Sequence, residues 1–97
     1  MSVLFILELQ IEPDKVEDYL GQFPSLLPDT RAFDGCEEIT VHQNEDDPTD
    51  VVLLEWWTSK EHHDRYMAWR RDRGDLERLG QGLAGPPKTR YLRDLDV

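Results

Sequence analysis

The chain has 97 residues, with 21 acidic and 11 basic side chains giving a net charge of −10 at neutral pH. That field excludes non-specific nucleic-acid binding, which needs cations to displace counterions, and adsorption to anionic membranes. The length suits one domain, residues 1–97, whose apolar side chains are clustered and periodic, unlike those of a disordered chain.

The single cysteine, Cys36, permits no internal disulfide and reads as a bland strand residue beside Glu37. No basic segment with a cleavage site opens the chain, and no stretch has the length and apolarity of a membrane span, so a cytoplasmic location is expected.

In Ser2–Ile11, Val3, Phe5, Leu7, Leu9 and Ile11 alternate with Leu4, Ile6, Glu8 and Gln10, the period of a strand. Its first half is apolar on both faces, which predicts cover on both sides. Pro13 suits a first helical turn, with Asp14 and Glu17 at the positive end and Val16, Tyr19, Leu20 and Phe23 at helical spacing. Pro24 and Pro28 predict a kink or a second short segment up to Phe33, closed by an Asp34-Gly35 turn.

Cys36–Gln43 alternates Glu37, Ile39 and Val41 against Cys36, Glu38, Thr40 and His42 and reads as a strand. Asn44–Asp50 is a polar, acidic loop, and Val51–Thr58 is a third strand, so the two strands form a hairpin. Thr58 and Glu61 have capping-box spacing, with Ser59 as a second N-cap candidate. The helix that follows runs to Asp72 and stops at Gly74. Asp75–Gly85 holds one more short helix, and Lys88–Asp96 a final strand.

The order βαββαβ predicts an α+β, ferredoxin-like fold: a four-stranded antiparallel sheet with the helices on one face. Leu4, Ile6, Val52 and Leu54 then line a second apolar face that no helix covers. The same face of another copy is the simplest cover, so a homodimer through the sheet face is expected.

Leu53–Arg70 holds all three tryptophans, two of the three histidines and one of the three tyrosines. Trp56 and Trp57 point to opposite faces of their strand. Packing is the default for both, and an indole N–H that orients a phenolate or a peroxy intermediate is the alternative for Trp57. His62 should stack with Tyr66 and Trp69, and His63 should line up with Met67 and Arg70. Adjacent on a helix, the two histidines are about 100° apart and do not share a metal easily. No Cys, His or carboxylate set has zinc spacing, and the Asp46-Asp47-Asp50 cluster lacks the glycine and glutamate of a calcium loop.

A solvated His62 or His63 is the default, and a general base for a phenol the alternative. Tyr66 reads equally as a core ring or a proton donor. Glu8 and Glu55 sit in otherwise apolar strands, so each must pair, with Arg90 or Arg93, or rise in pKa and serve as an acid or base. Arg65, Arg70, Arg71, Arg73 and Arg78 form a basic patch diluted by Asp64, Asp72, Asp75 and Glu77, as expected of surface ion pairs.

Three features together carry a family resemblance: the order of elements, "TRAFDGCEEITVHQ" with its Gly35-Cys36, and "LLEWWTSKEHHDRYM" with Glu55-Trp56-Trp57 before Thr58-Ser59. On these the chain resembles the antibiotic biosynthesis monooxygenase domain, a family of dimeric α+β barrels. The resemblance implies a cleft between sheet and helices in which molecular oxygen oxidises a reduced polycyclic aromatic or quinol without metal or flavin. The catalytic candidates are Trp57, Tyr66 and His62, and the candidate substrate contacts are Glu55, Glu8, Trp56, Phe5 and Trp69. No cofactor is expected, oxygen is the co-substrate, and the partners are a small apolar aromatic ligand and a second copy.

Members of the family often carry a histidine where Tyr66 stands, and the haem-degrading ones also place an asparagine on the first strand, where this chain reads Phe5 to Glu8, so haem is not expected. Two alternatives stay open on the same fold, a module that binds a small ligand without turnover and an oxygen-independent isomerase or dehydratase.

Overall fold

The computed structural model describes residues 2–97. Four strands, β1 (Val3–Gln10), β2 (Cys36–Gln43), β3 (Asp50–Trp57) and β4 (Lys88–Arg93), form one sheet in the order β2-β3-β1-β4. Every neighbouring pair is antiparallel. Helices α1 (Val16–Gly21), α2 (Phe23–Ala32), α3 (Lys60–Asp72) and α4 (Asp75–Gly80) complete the ferredoxin-like α+β fold.

Strand β3 sets the layering. Val51, Leu53, Glu55 and Trp57 are buried beneath the helices, whereas Val52, Leu54 and Trp56 are only half-buried on the far face. Leu9, Ile11, Ile39, Val51 and Leu53 pack with Tyr19 and Phe23 into one cluster. Phe5, Trp57 and Tyr66 form a second one next to it. Each such side chain contributes on the order of 1.5–3 kcal/mol by leaving water, which is how so short a chain holds together. The register places Glu55 beside both Ile39 and Phe5, and Phe5 beside Tyr91, so these four form one row across the sheet.

One local expectation is met and three are corrected. The second segment is present: a 3₁₀ turn at Pro13–Lys15 leads into α1, and a separate α2 takes Pro24 in its first turn, where a missing N–H costs nothing. Ser59, not Thr58, caps α3: its Oγ accepts from the His62 N–H at 3.2 Å, while Thr58 donates to Glu37. A bulge between Cys36 and Glu38 turns Cys36 to the helix side with Ile39, although simple alternation groups it with Glu38. Neither Glu8 nor Glu55 forms an ion pair with Arg90 or Arg93 among the described residues; Glu8 stands opposite Lys88 on the far face.

The turn before β2 needs glycine twice over. Gly35 has φ +92°, and a Cβ there would come within 2.5 Å of the His62 ring.

Candidate functional site

Between the sheet and the helices lies a cavity of about 80 Å³, with Phe5, Leu53 and Glu55 as its floor. Phe23, Leu26, Leu27 and Thr30 of α2 form one wall, and Tyr66, Met67 and Arg70 of α3 another. The lining is apolar except for a few convergent polar groups, the usual composition of a small-molecule site.

Glu55 is the carboxylate of this cavity and is 4% exposed. It accepts a hydrogen bond from Trp57 Nε1 at 3.0 Å. Burial pushes its pKa up to about 7, against the opposing pull of the Trp57 bond and the Arg70 charge. A carboxyl group poised there exchanges protons readily at neutral pH.

Tyr66 completes the polar wall. Its oxygen accepts from Arg70 Nε at 2.9 Å and shares a 2.7 Å hydrogen bond with Thr30 Oγ1. Burial raises the phenol pKa more than Thr30 and Arg70 lower it, so Tyr66 stays a proton donor at neutral pH. Arg70 also donates to Leu26 O at 2.8 Å, Thr30 Oγ1 at 3.0 Å and Asp75 at 2.9 Å. It thereby latches α2, which covers the cavity, to α3 and α4. Burial disfavours the guanidinium, but the bonds to Tyr66 and Asp75 more than compensate and hold its pKa above the ordinary value. Asp75 in turn meets Arg73 at 3.1 Å and Arg78. Arg70 is therefore a buried hub, which corrects its assignment to a surface patch.

His63 lies behind Glu55 and is 1% exposed. Its ring packs 4.0 Å from that of Phe5 and 5.3 Å from that of Trp57, measured between centroids. Nδ1 and the Tyr91 hydroxyl share a 2.8 Å hydrogen bond, and Nε2 lies 3.9 Å from Glu55 Oε1. Burial drives its pKa down to about 4, so the imidazole is neutral at pH 7.

The sequence candidates divide accordingly. Glu55, Phe5 and Tyr66 meet at the cavity. Trp57 is fully buried and touches the site through Glu55, with its N–H already committed. Trp69 packs outside, beside Phe33 and Tyr66 and between Arg70 and Arg73. Trp56 and Glu8 lie on the far face of the sheet. His62 does not stack with Tyr66 and Trp69: its Nδ1 is 2.6 Å from Ser59 Oγ, and its Nε2 is 3.8 Å from Asp34 at the surface.

Sequence reasoning missed Thr30 and Arg70 as members of the site and weighed His63 only as the alternative to a solvated histidine. The buried stripe of α3 is His63, Tyr66 and Arg70, three and then four residues apart. That spacing was legible as a helix face. Among the described residues no group of three His, Cys, Asp or Glu could hold a metal ion, and no helix is long and apolar enough to cross a membrane.

Residues 2–70 match the family model for antibiotic biosynthesis monooxygenase. No curated protein matches significantly. Among solved structures the chain is similar to a conserved protein from Methanosarcina mazei Go1, with TM-score 0.89 and 20% identity over 98% of this chain and 94% of that one. It is also similar to Rv0793 from Mycobacterium tuberculosis, with TM-score 0.87 and 23% identity over 100% and 98% of the two chains. A third is a structure described as an antibiotic biosynthesis monooxygenase, with TM-score 0.86 and 16% identity over 96% and 98%. At these identities the likeness establishes the fold.

Proposed function

The chain belongs to the antibiotic biosynthesis monooxygenase family, and from that footing we propose that it oxidises a small reduced aromatic or quinol with molecular oxygen, Glu55 serving as the base. The observation that carries this reading is Glu55 itself, one carboxyl with a pKa near 7 facing an apolar cavity, with the Tyr66 hydroxyl on the adjoining wall.

In the proposed reaction Glu55 takes a proton from the substrate, and the resulting anion is held by the Tyr66 O–H, which Arg70 and Thr30 orient. The anion passes one electron to O2, and the substrate radical and superoxide combine to form a C–O bond. The peroxide anion recovers the proton from Glu55. Cleavage of the O–O bond then leaves one oxygen on the substrate, and the other departs as water with the second hydrogen. The substrate supplies all the electrons, so no reductant, flavin or metal enters the scheme. Burial helps here, because water competes poorly for an anion held among apolar side chains.

The cavity volume bears on the substrate. About 80 Å³ is well short of the ~300 Å³ typical of sites for drug-sized ligands. It suits a single ring, and a polycyclic substrate would require α2 to move outward against the Arg70 latch. The test is oxygen uptake with single-ring quinols and anthrone-type carbon acids, comparing wild type with Glu55→Gln.

The Glu55–Tyr66 acid–base pair also supports a second reading, an oxygen-independent isomerase or dehydratase. Turnover under strict anaerobiosis separates the two. We further propose that a second copy covers the far face, where Leu4, Ile6, Val52, Leu54 and Trp56 are half-buried with no helix over them.

A further inference from the structure

We propose that His63 and Tyr91 form a proton path that connects Glu55 to solvent at the outer edge of the sheet, independently of the cavity mouth. The inference rests on the reading of Glu55 as the group that takes and returns the substrate proton.

The observations are geometric. His63 Nε2 is a buried side-chain polar atom with no hydrogen-bond partner, and it lies 3.9 Å from Glu55 Oε1. Such an orphan in a native core calls for an explanation. The other nitrogen of the same ring bonds the Tyr91 hydroxyl at 2.8 Å. Tyr91 sits on β4, the edge strand, and is 39% exposed. Phe5 packs on both rings, at 4.0 Å from His63 and 5.0 Å from Tyr91, so the imidazole is fixed between the carboxyl and the phenol.

The neighbours of Glu55 leave few other routes. Trp57 contributes an N–H that cannot accept a proton, and Arg70 stays charged. Tyr66 leads only to Thr30 and Arg70, which are themselves buried. At the outer end, Lys60 Nζ lies 5.0 Å from the centre of the Tyr91 ring, and Asp64 acts on both Tyr91 and His63 through its charge.

The transfer balances as follows. A small rotation of the protonated Glu55 carboxyl brings its O–H to Nε2, which accepts the proton. Nδ1–H passes its proton to the Tyr91 oxygen, and the Tyr91 O–H releases one to water. The ring ends as the other tautomer, and inward transfer reverses each step. With a carboxyl near half protonation at neutral pH, such a path lets Glu55 equilibrate with solvent between turnovers while α2 covers the cavity.

The test needs no substrate. With ¹⁵N-labelled histidine, the exchange of the His63 ring N–H with solvent is measured in wild type and in Tyr91→Phe, which keeps the ring that packs on His63 and Phe5. We expect exchange at least about tenfold slower in the variant, since the phenol oxygen is the outward step. Equal rates would overturn the path. A second measurement follows the His63 Nε2 chemical shift with pH: it should move as Glu55 titrates and stay flat in Glu55→Gln. A shift that is flat in wild type as well would also overturn it. Neither readout depends on oxygen chemistry, so the path can hold while the oxygenase reading fails, and the reverse.

Discussion

Trp57 donates its indole N–H to Glu55, two residues back on the same face of β3, at 3.0 Å. The large ring therefore does not present its donor to the cavity; it stabilises the ionised form of the carboxylate that does face it. Trp57→Phe removes that bond and leaves burial less opposed, so the pKa of Glu55 should rise further above about 7. If ionised Glu55 is the base, activity climbs with pH through that value, and the variant's profile should shift about one unit to the alkaline side. A pH–rate comparison of the two proteins checks this.

Glu55 and His63 should make stability depend on pH in opposite ways. The pKa of Glu55 is raised from 4.5 to about 7, so its contribution is full below 4.5 and is lost as pH rises through 7. That of His63 is lowered from 6.5 to about 4, so its contribution is full above 6.5 and is lost as pH falls through 4. Each shift corresponds to about 3 kcal/mol, and between pH 4.5 and 6.5 the two slopes oppose and nearly cancel. Glu55→Gln leaves the histidine slope alone. Urea unfolding of that variant should show stability rising by about 3 kcal/mol relative to wild type from pH 4.5 to pH 7.

The fold was legible because β1 and β3 are short apolar runs bounded by polar turns and α3 lies between a capping segment and Gly74. Most of the site was not, and the reasons are local. Periodicity cannot say which of two adjacent histidines faces inward. Here the missing Cβ of Gly35 leaves room for the His62 ring at the surface, and the phase of α3 sends His63 to the core. Arg70 looked like one member of a charged run because its acid partner, Asp75, lies beyond the end of α3 and folds back onto it only when α4 packs. Cys36 changed face because a bulge adds a residue that no alternation reveals.

Arg70 should be the costliest single polar loss. Arg70→Met leaves Asp75 with fewer partners and strips donors from Tyr66, Thr30 and Leu26. A cost of about 3–5 kcal/mol is expected, as for other broken buried pairs. Tyr66→Phe should cost about 1–3 kcal/mol, and the double variant less than the sum, since the two share a bond. Denaturant titration of the three variants measures the coupling directly.

The far face offers a separate check. Trp56→Glu places a charge on this face, opposite Leu4 and Glu38, without touching the cavity side. If a second copy covers this face, light scattering should show a dimer for wild type and a monomer for the variant at micromolar concentration. A monomeric wild type would contradict the proposed pairing.

The most direct measurement is oxygen consumption by wild type and Glu55→Gln with a panel of single-ring quinols and anthrone-type carbon acids, each against its uncatalysed rate. We expect one O2 consumed per substrate, no hydrogen peroxide released, and a loss of at least about a hundredfold in the folded variant. Uptake that Glu55→Gln leaves unchanged, or no uptake above background across the panel, would contradict Glu55 as the base of an oxygenase.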